Sequence, residues 1–375
     1  MTPTPDAPVM PVDGANLSSE AIERTLRGLW REMEDAQAEV TQVRMLNLIV
    51  YLPESPSPEV RSAIGTVALQ HPGRTIILLE DVGPPRAEAT IVCRVGDHAR
   101  HACGEQITLH GTPGGHAVHS LAVALVQAGL PVTLWWQGPV DFENHVFEKL
   151  AEIADHVILD SRTWPDPLPF LPRLAEEIAK QGRNRRFSDL QWVELTSWRR
   201  LIAHAFDVPA AREALPRLNE LVIEYGGSAR PSLAALLLAG WLASRLGWEA
   251  GDAAYIRDDT GYVLPLRRLA ASSDDGPMVA LRRRDTPERI CAVEMRTGGE
   301  RPARFCFDIS QDALRVETHI ELAGSSPLVQ VSHLQRRDPA QLLSEELALN
   351  TGDPVYIAAL ASAIHLGQSL ERINK

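Results

Sequence analysis

The chain has 375 residues, is 45% hydrophobic and 23% charged, and carries a formal net charge of -12 at pH 7. That length suits two domains of ordinary size, and the composition excludes a largely disordered or fibrous protein. The acidic balance disfavours nonspecific binding to nucleic acid or to an anionic bilayer, because the long-range field repels polyanions.

The first segment, Met1–Gly14, is rich in Pro and Asp and has neither a basic n-region nor an apolar h-region, so a flexible tail over 1–16 and a cytoplasmic location are expected. Leu17–Glu39 then places Ile22, Leu26, Leu29, Trp30 and Met33 at helical spacing behind Ser18 and Ser19. Met45–Leu52 is an apolar run of strand length, followed by a helical stretch over Pro58–Gln70 and a second buried strand at Thr75–Leu79. This order favours a parallel pair, because the connection is long enough for a crossover.

Ala89–Val95 and His101–Leu109 read as a hairpin. A turn centred on His98 sets Cys93 opposite Cys103, Val95 opposite His101 and Ile91 opposite Glu105. Opposed Cα atoms in a non-hydrogen-bonded antiparallel pair lie about 4.5 Å apart, within reach of a disulfide, so Cys93 and Cys103 form a candidate redox pair. Two reduced, packed thiols are the plainer alternative in a reducing compartment. A helix over Gly115–Gln127, a strand over Pro131–Trp136, a helix over Phe142–Ala154 and a strand at His156–Leu159 complete a mixed α/β domain over 17–182.

The polar, basic stretch Gln181–Arg186 marks the expected junction. Beyond it, helical pattern over Leu190–Phe206, a strand at Leu221–Tyr225 and an apolar helix over Pro231–Leu246 lead into short β-rich runs between Gly261 and Ile320. Helix returns from Asp338 to Leu370. The expected second domain, 183–375, is therefore α+β, with an antiparallel meander and a helical tail.

Motifs that carry catalysis are missing: no GxGxxG follows a strand, and GxxxxGK[ST], HExxH, GxSxG and CxxC do not occur. Gly111-Thr112-Pro113-Gly114-Gly115 is the nearest glycine cluster, and a plain strand-to-helix turn explains it better than an anion site. Cys93, His98, His101 and Cys103 would place four zinc ligands on one hairpin, whereas structural zinc draws ligand pairs from separate segments. His116 and His119 lack a third ligand, and Asp155 and Asp160 lack a nucleophile to serve. No metal, cofactor or catalytic residue is expected.

Two features point to recognition instead. In a strand the tandem Trp135-Trp136 aims its indoles at opposite faces, so the outer one must meet a covering helix, a ligand or a partner. Arginines gather between Arg267 and Arg315, including Arg282-Arg283-Arg284, although Asp274, Asp275, Asp285, Glu288 and Glu294 are interleaved as on an ordinary solvated sheet face. Trp135, Trp136, Arg74, Arg282 and Arg283 are the candidate partner-binding residues.

Read in order, several stretches resemble the family of glucose-6-phosphate dehydrogenase assembly proteins called OpcA. They include Leu46-Asn47-Leu48-Ile49-Val50-Tyr51, His71-Pro72-Gly73-Arg74-Thr75-Ile76, Cys103-Gly104-Glu105-Gln106-Ile107 and Leu130–Pro139 with its tryptophan pair. His156–Ser161, Phe187–Trp192, Leu195–Arg199 and Leu238–Trp248 continue the set. Gly73 and Gly104 stand where the family pattern leads us to expect serine. The resemblance implies a non-catalytic protein that binds glucose-6-phosphate dehydrogenase, supports its assembly and raises its activity in the oxidative pentose phosphate pathway. The alternative from another class is a sugar-phosphate enzyme or sensor that uses the glycine turn and the arginines.

Overall fold

The computed structural model describes residues 9–12, 17–36, 40–53, 56–95, 101–112, 116–164, 166, 168–181, 185–228, 230–250, 256–258, 261–269, 276–349 and 352–373. The chain divides into two units, the first made of residues 1–165, 177–190 and 337–352, the second of 166–176, 191–336 and 353–375. Both carry a mixed sheet with helices, the α/β class that the pattern of apolar runs predicts.

The first unit begins with β1 (Met10–Val12), α1 (Ser19–Ala36) and β2 (Val40–Gln42), so the segment read as a tail contributes a strand. There follow β3 (Asn47–Leu52), α2 (Pro58–Gln70), β4 (Arg74–Glu80), β5 (Arg86–Val95), β6 (His101–Gly111) and α3 (His116–Ala124). Next come β7 (Val132–Trp136), α4 (His145–Ile153), β8 (His156–Leu159), α5 (Leu171–Gln181), which crosses the unit boundary, and β9 (Arg186–Asp189).

Every residue of β3 is buried, as a continuous apolar run in a doubly covered strand should be. Its helix α2 starts where Pro58 has no N–H to lose and the Ser57 hydroxyl accepts from the Val60 N–H. The sheet order is β1-β5-β6-β4-β3-β7-β8-β9, with β2 beside β6. From β6 to β9 all neighbours are parallel. Counted from β3 as the first, these six strands stand 3-2-1-4-5-6, the doubly wound dinucleotide-fold order, with its switch point between β3 and β7. The expected parallel pair β3/β4 is present, and the β5/β6 hairpin sets Cys93 against Cys103.

The second unit contains α6 (Leu190–Glu194), which begins one residue inside the first unit, α7 (Thr196–Ala205) and α8 (Pro209–Arg212). It continues with β10 (Leu218–Tyr225), α9 (Leu233–Leu246), β11 (Trp248–Ala250), β12 (Ile256–Asp258), β13 (Gly261–Arg268), β14 (Met278–Arg283), β15 (Ile290–Thr297), β16 (Ala303–Ile309), β17 (Arg315–Leu322) and β18 (Leu328–His333). α10 (Pro339–Ala348) belongs to the first unit, and α11 (Pro354–Ile373) closes the second.

Strands β15 to β18 form the expected antiparallel meander, but β14 pairs with β10 in parallel, so this sheet is mixed. The helix expected over Leu190–Phe206 is interrupted at Leu195, which separates α6 from α7. α9 is capped by Ser232 and stopped by Gly247 in the left-handed conformation at φ 65°. It is buried along nearly its whole length, and at Gly240 it approaches α11 so closely that a Cβ there would lie 2.4 Å from the Ala359 carbonyl oxygen.

Candidate functional site

In doubly wound sheets ligands bind outside the carboxyl ends of the strands at the switch point, so the ends of β3 and β7 are the place to look. Here that crevice is filled by the chain itself. Tyr51, near the end of β3, stacks on Trp136, the last residue of β7, with ring centroids 3.6 Å apart and planes within 11°. Phe147 of α4 meets Trp136 edge-on at 5.1 Å, and Phe142 meets Phe147 at 5.4 Å. The Tyr51 hydroxyl donates to the Glu80 carboxylate at the end of β4. Burial, the hydrogen bond and the carboxylate charge all push the phenol well above its ordinary value, so it stays a donor.

The turn between β3 and α2 contains no glycine, and the first donors of α2 are already used by Ser57 or removed by Pro58. Beside the stack, Tyr51, Glu80, Gly111, Thr112, His119 and Val146 line only a shallow cleft. Neither the aromatic plug nor the acidic Glu80 suits a pyrophosphate, which needs close backbone N–H groups and positive potential.

Both indoles of the tandem are buried, with Trp135 at 0% and Trp136 at 2% exposure. The expectation of a partner-facing tryptophan is therefore corrected. The outer indole is covered by Phe147 and Tyr51, and among the described residues neither indole N–H finds a hydrogen-bond acceptor.

Arg74 is also an inward residue, at 4% exposure. It opens β4 beside Glu105 of β6, the two forming the first register pair of these parallel strands. The guanidinium donates to Glu105 Oε2 at 2.7 Å, to Glu23 Oε1 of α1 at 2.5 Å and to the Leu125 carbonyl at 2.7 Å. Burial opposes its charge, but the bonds to Glu23 and Glu105 outweigh this and raise its pKa further. Glu105 also accepts from Trp30 Nε1 at 2.8 Å, Gln42 Nε2 at 2.9 Å and Gln127 Nε2 at 3.2 Å. Sequence reasoning missed this hub. Its one local signal is Glu23, which follows Ile22 on the side of α1 that carries Leu26 and Leu29.

Arg282 and Arg283, at the end of β14, are exposed. Arg283 donates to the Gly227 carbonyl at 2.9 Å, and Arg284 bonds to Glu224 and to Asp308. The arginine run is thus interleaved with carboxylates in space as it is in sequence.

Cys93 and Cys103 form a disulfide, with Cα atoms 4.0 Å apart, and Cys103 is wholly buried. The hairpin tip with His98, the turn residues 113–115, the junction residues 182–184 and Asp274 and Asp275 lie outside the described residues. Asp155 accepts from the Val132 N–H at 2.8 Å, and Asp160 is held by Nε and Nη2 of Arg162 at 2.7 and 2.8 Å. Both are structural carboxylates. Among the described residues no three His, Cys, Asp or Glu side chains converge as a metal site, and no helix is long and apolar enough to cross a membrane.

Two sequence profiles match the chain: residues 65–176 match the glucose-6-phosphate dehydrogenase subunit N-terminal domain of OpcA, and residues 185–360 match its C-terminal domain. The chain belongs to the OpcA family of glucose-6-phosphate dehydrogenase assembly proteins. OpcA from Nostoc punctiforme, whose name assigns it provisionally to the OxPP cycle, is 31% identical over 312 residues, covering 78% of this chain and 64% of that protein. The OpcA of Synechococcus elongatus is 31% identical over 237 residues, covering 60% of this chain and 51% of its own. The chain thus spans less than two thirds of the length of these relatives. Among solved structures, an oxidoreductase from Sinorhizobium meliloti has a TM-score of 0.50 at 10% identity, covering 88% of this chain and 98% of its own, a likeness of fold alone. The family's expected serines have no room here. A Cβ on Gly73 would lie 2.3 Å from the Leu46 carbonyl oxygen, and one on Gly104 would lie 2.6 Å from that of Gly73.

Proposed function

We propose that this chain is a non-catalytic partner of glucose-6-phosphate dehydrogenase in the oxidative pentose phosphate pathway, assisting its assembly and raising its activity. The observation that carries the reading is the filled crevice. The strand order is that of a dinucleotide-binding fold, yet Tyr51, Trp136 and Phe147 occupy the switch point and the turn from β3 to α2, where a cofactor's pyrophosphate would sit, contains no glycine. Family membership supports this choice of partner. Activation then works by linkage, the chain binding the active dehydrogenase state more tightly than the inactive one.

On this reading the chain acts in the cytoplasm, and exposed Arg282 and Arg283 are available to acidic groups of the partner. The Cys93–Cys103 disulfide serves as a redox device that adjusts binding. The test is to add the purified chain to its cognate dehydrogenase at subsaturating substrate. Activity or oligomer mass should rise, while the chain alone should reduce no NADP. Turnover by the isolated chain, or no change at micromolar excess, would refute the proposal.

A further inference from the structure

Among the described residues, the β18 edge of the second sheet stands apart from the other sheet edges. The first sheet ends in β1, of 3 residues, and β9, of 4 residues and mostly buried. The second sheet ends on one side in β11 and β12, of 3 residues each. Its other edge, β18, has 6 residues paired with β17 in unbroken register. Leu328, Val329 and Val331 are 49%, 58% and 55% exposed, and no residue of the strand is buried on either face.

Natural edges are protected by charges, proline, bulges, shortness or a covering element. The sequence Leu328-Val329-Gln330-Val331-Ser332-His333 has no Asp, Glu, Lys, Arg or Pro, and its ladder has no bulge. The outer backbone donors and acceptors of such a strand are a template for another strand.

We propose that β18 is a self-association edge, at which a second copy of this chain adds its own β18 antiparallel about a two-fold axis through Gln330. The register follows from the side chains. Val329 and Val331 stand on one sheet face, opposite His319 and Glu317 of β17. An axis at Gln330 sets Val329 of each copy against Val331 of the other, giving four contiguous valines. An axis at Val329 would set Val331 against Pro327, and one at Val331 would set Val329 against His333. Only the central choice pairs every exposed valine with a valine, and a two-fold edge interface closes after two copies. The sheet then runs continuously from one copy into the next.

The decisive measurement is mass in solution combined with directed cross-linking. The full chain should sediment at twice its 41.2 kDa. V329K/V331K should return it to a monomer that keeps the wild-type far-UV circular dichroism spectrum, since both side chains are exposed within one copy, and its melting temperature should no longer depend on protein concentration. Opposed antiparallel Cα atoms lie about 4.5–5.5 Å apart, within disulfide range, so Gln330→Cys should cross-link to itself under mild oxidant. Leu328→Cys should not, because it faces Ser332. A wild-type chain that stays monomeric at tens of micromolar overturns the proposal. So does a dimer that V329K/V331K leaves intact, or equal cross-linking at 328 and 330. Loss of dehydrogenase binding in V329K/V331K with a monomeric wild type would assign the edge to the partner instead, and would likewise overturn it.

Discussion

Replacing Arg74 with methionine separates the two roles this residue can have. In the structure its side chain is 5% exposed and bonded to Glu105, which is equally buried, and to Glu23, which is 36% exposed. Methionine fills much of the volume but leaves the buried Glu105 carboxyl with only the neutral donors of Trp30, Gln42 and Gln127. Removing one partner of a buried pair strands the other charge, which costs about 3–5 kcal/mol, far more than the net worth of the pair itself. The double variant R74M/E105Q carries no stranded buried charge and should lose clearly less than R74M alone. Urea denaturation followed by tryptophan fluorescence reads this directly. If R74M lost under about 1 kcal/mol, or kept its stability while losing dehydrogenase activation, Arg74 would be a recognition residue and the internal hub would be misread.

Two further predictions concern protons and sulfur. His156 is 1% exposed; Arg186 donates to its Nδ1 at 3.2 Å, and its Nε2 lies 2.7 Å from Ser188 Oγ and 3.4 Å from Glu346. Burial first, and the Arg186 charge second, lower its pKa against the pull of Glu346. The unfolded chain, with an ordinary histidine pKa of about 6.5, therefore takes up a proton before the folded one does, and stability falls as pH drops below that value. His156→Asn should flatten this slope in melts between pH 7 and 5, leaving the part due to other groups of lowered pKa such as His71, whose pKa burial also lowers; an unchanged slope would refute the assignment. For the disulfide, peptide mapping of the oxidised chain should find Cys93 joined to Cys103, and C93S/C103S should abolish any difference in activation between oxidised and reduced protein. A link that forms without altering activation is a staple and not a switch.

Much of this fold is readable along the chain where one property repeats locally. β3 could be read because six adjacent residues are all buried, and the β5/β6 register because residues flank His98 symmetrically. What escaped reading depends on distance or on exposure. Arg74 and Glu105 are 31 positions apart, and nothing near either residue announces the other. The tryptophan pair betrays its two directions but not that Tyr51 would cover one of them. β18 shows no alternation of burial, because neither of its faces is covered. The return of α10 to the first unit buries Ala340, Leu342 and Leu343 and adds the bond of Ser344 to Gln70 at 2.6 Å and Glu346 beside His156, partners too distant along the chain for any periodicity to encode.

On the proposed function, the chain changes the dehydrogenase's rate by binding its states unequally. A tenfold gain at subsaturating substrate would need a difference of about 1.4 kcal/mol between the two dehydrogenase states, within the usual range of coupling energies. Linkage is reciprocal for binding, so a substrate that favours the same state must tighten this chain's grip on the dehydrogenase by the same factor. The dissociation constant of the complex, measured by titration with and without saturating glucose 6-phosphate, should therefore shift by the factor by which the chain lowers the sugar phosphate's own dissociation constant. If activation were observed and the complex's affinity did not respond to substrate, the chain would be acting on a step after binding, and population shift would be the wrong mechanism.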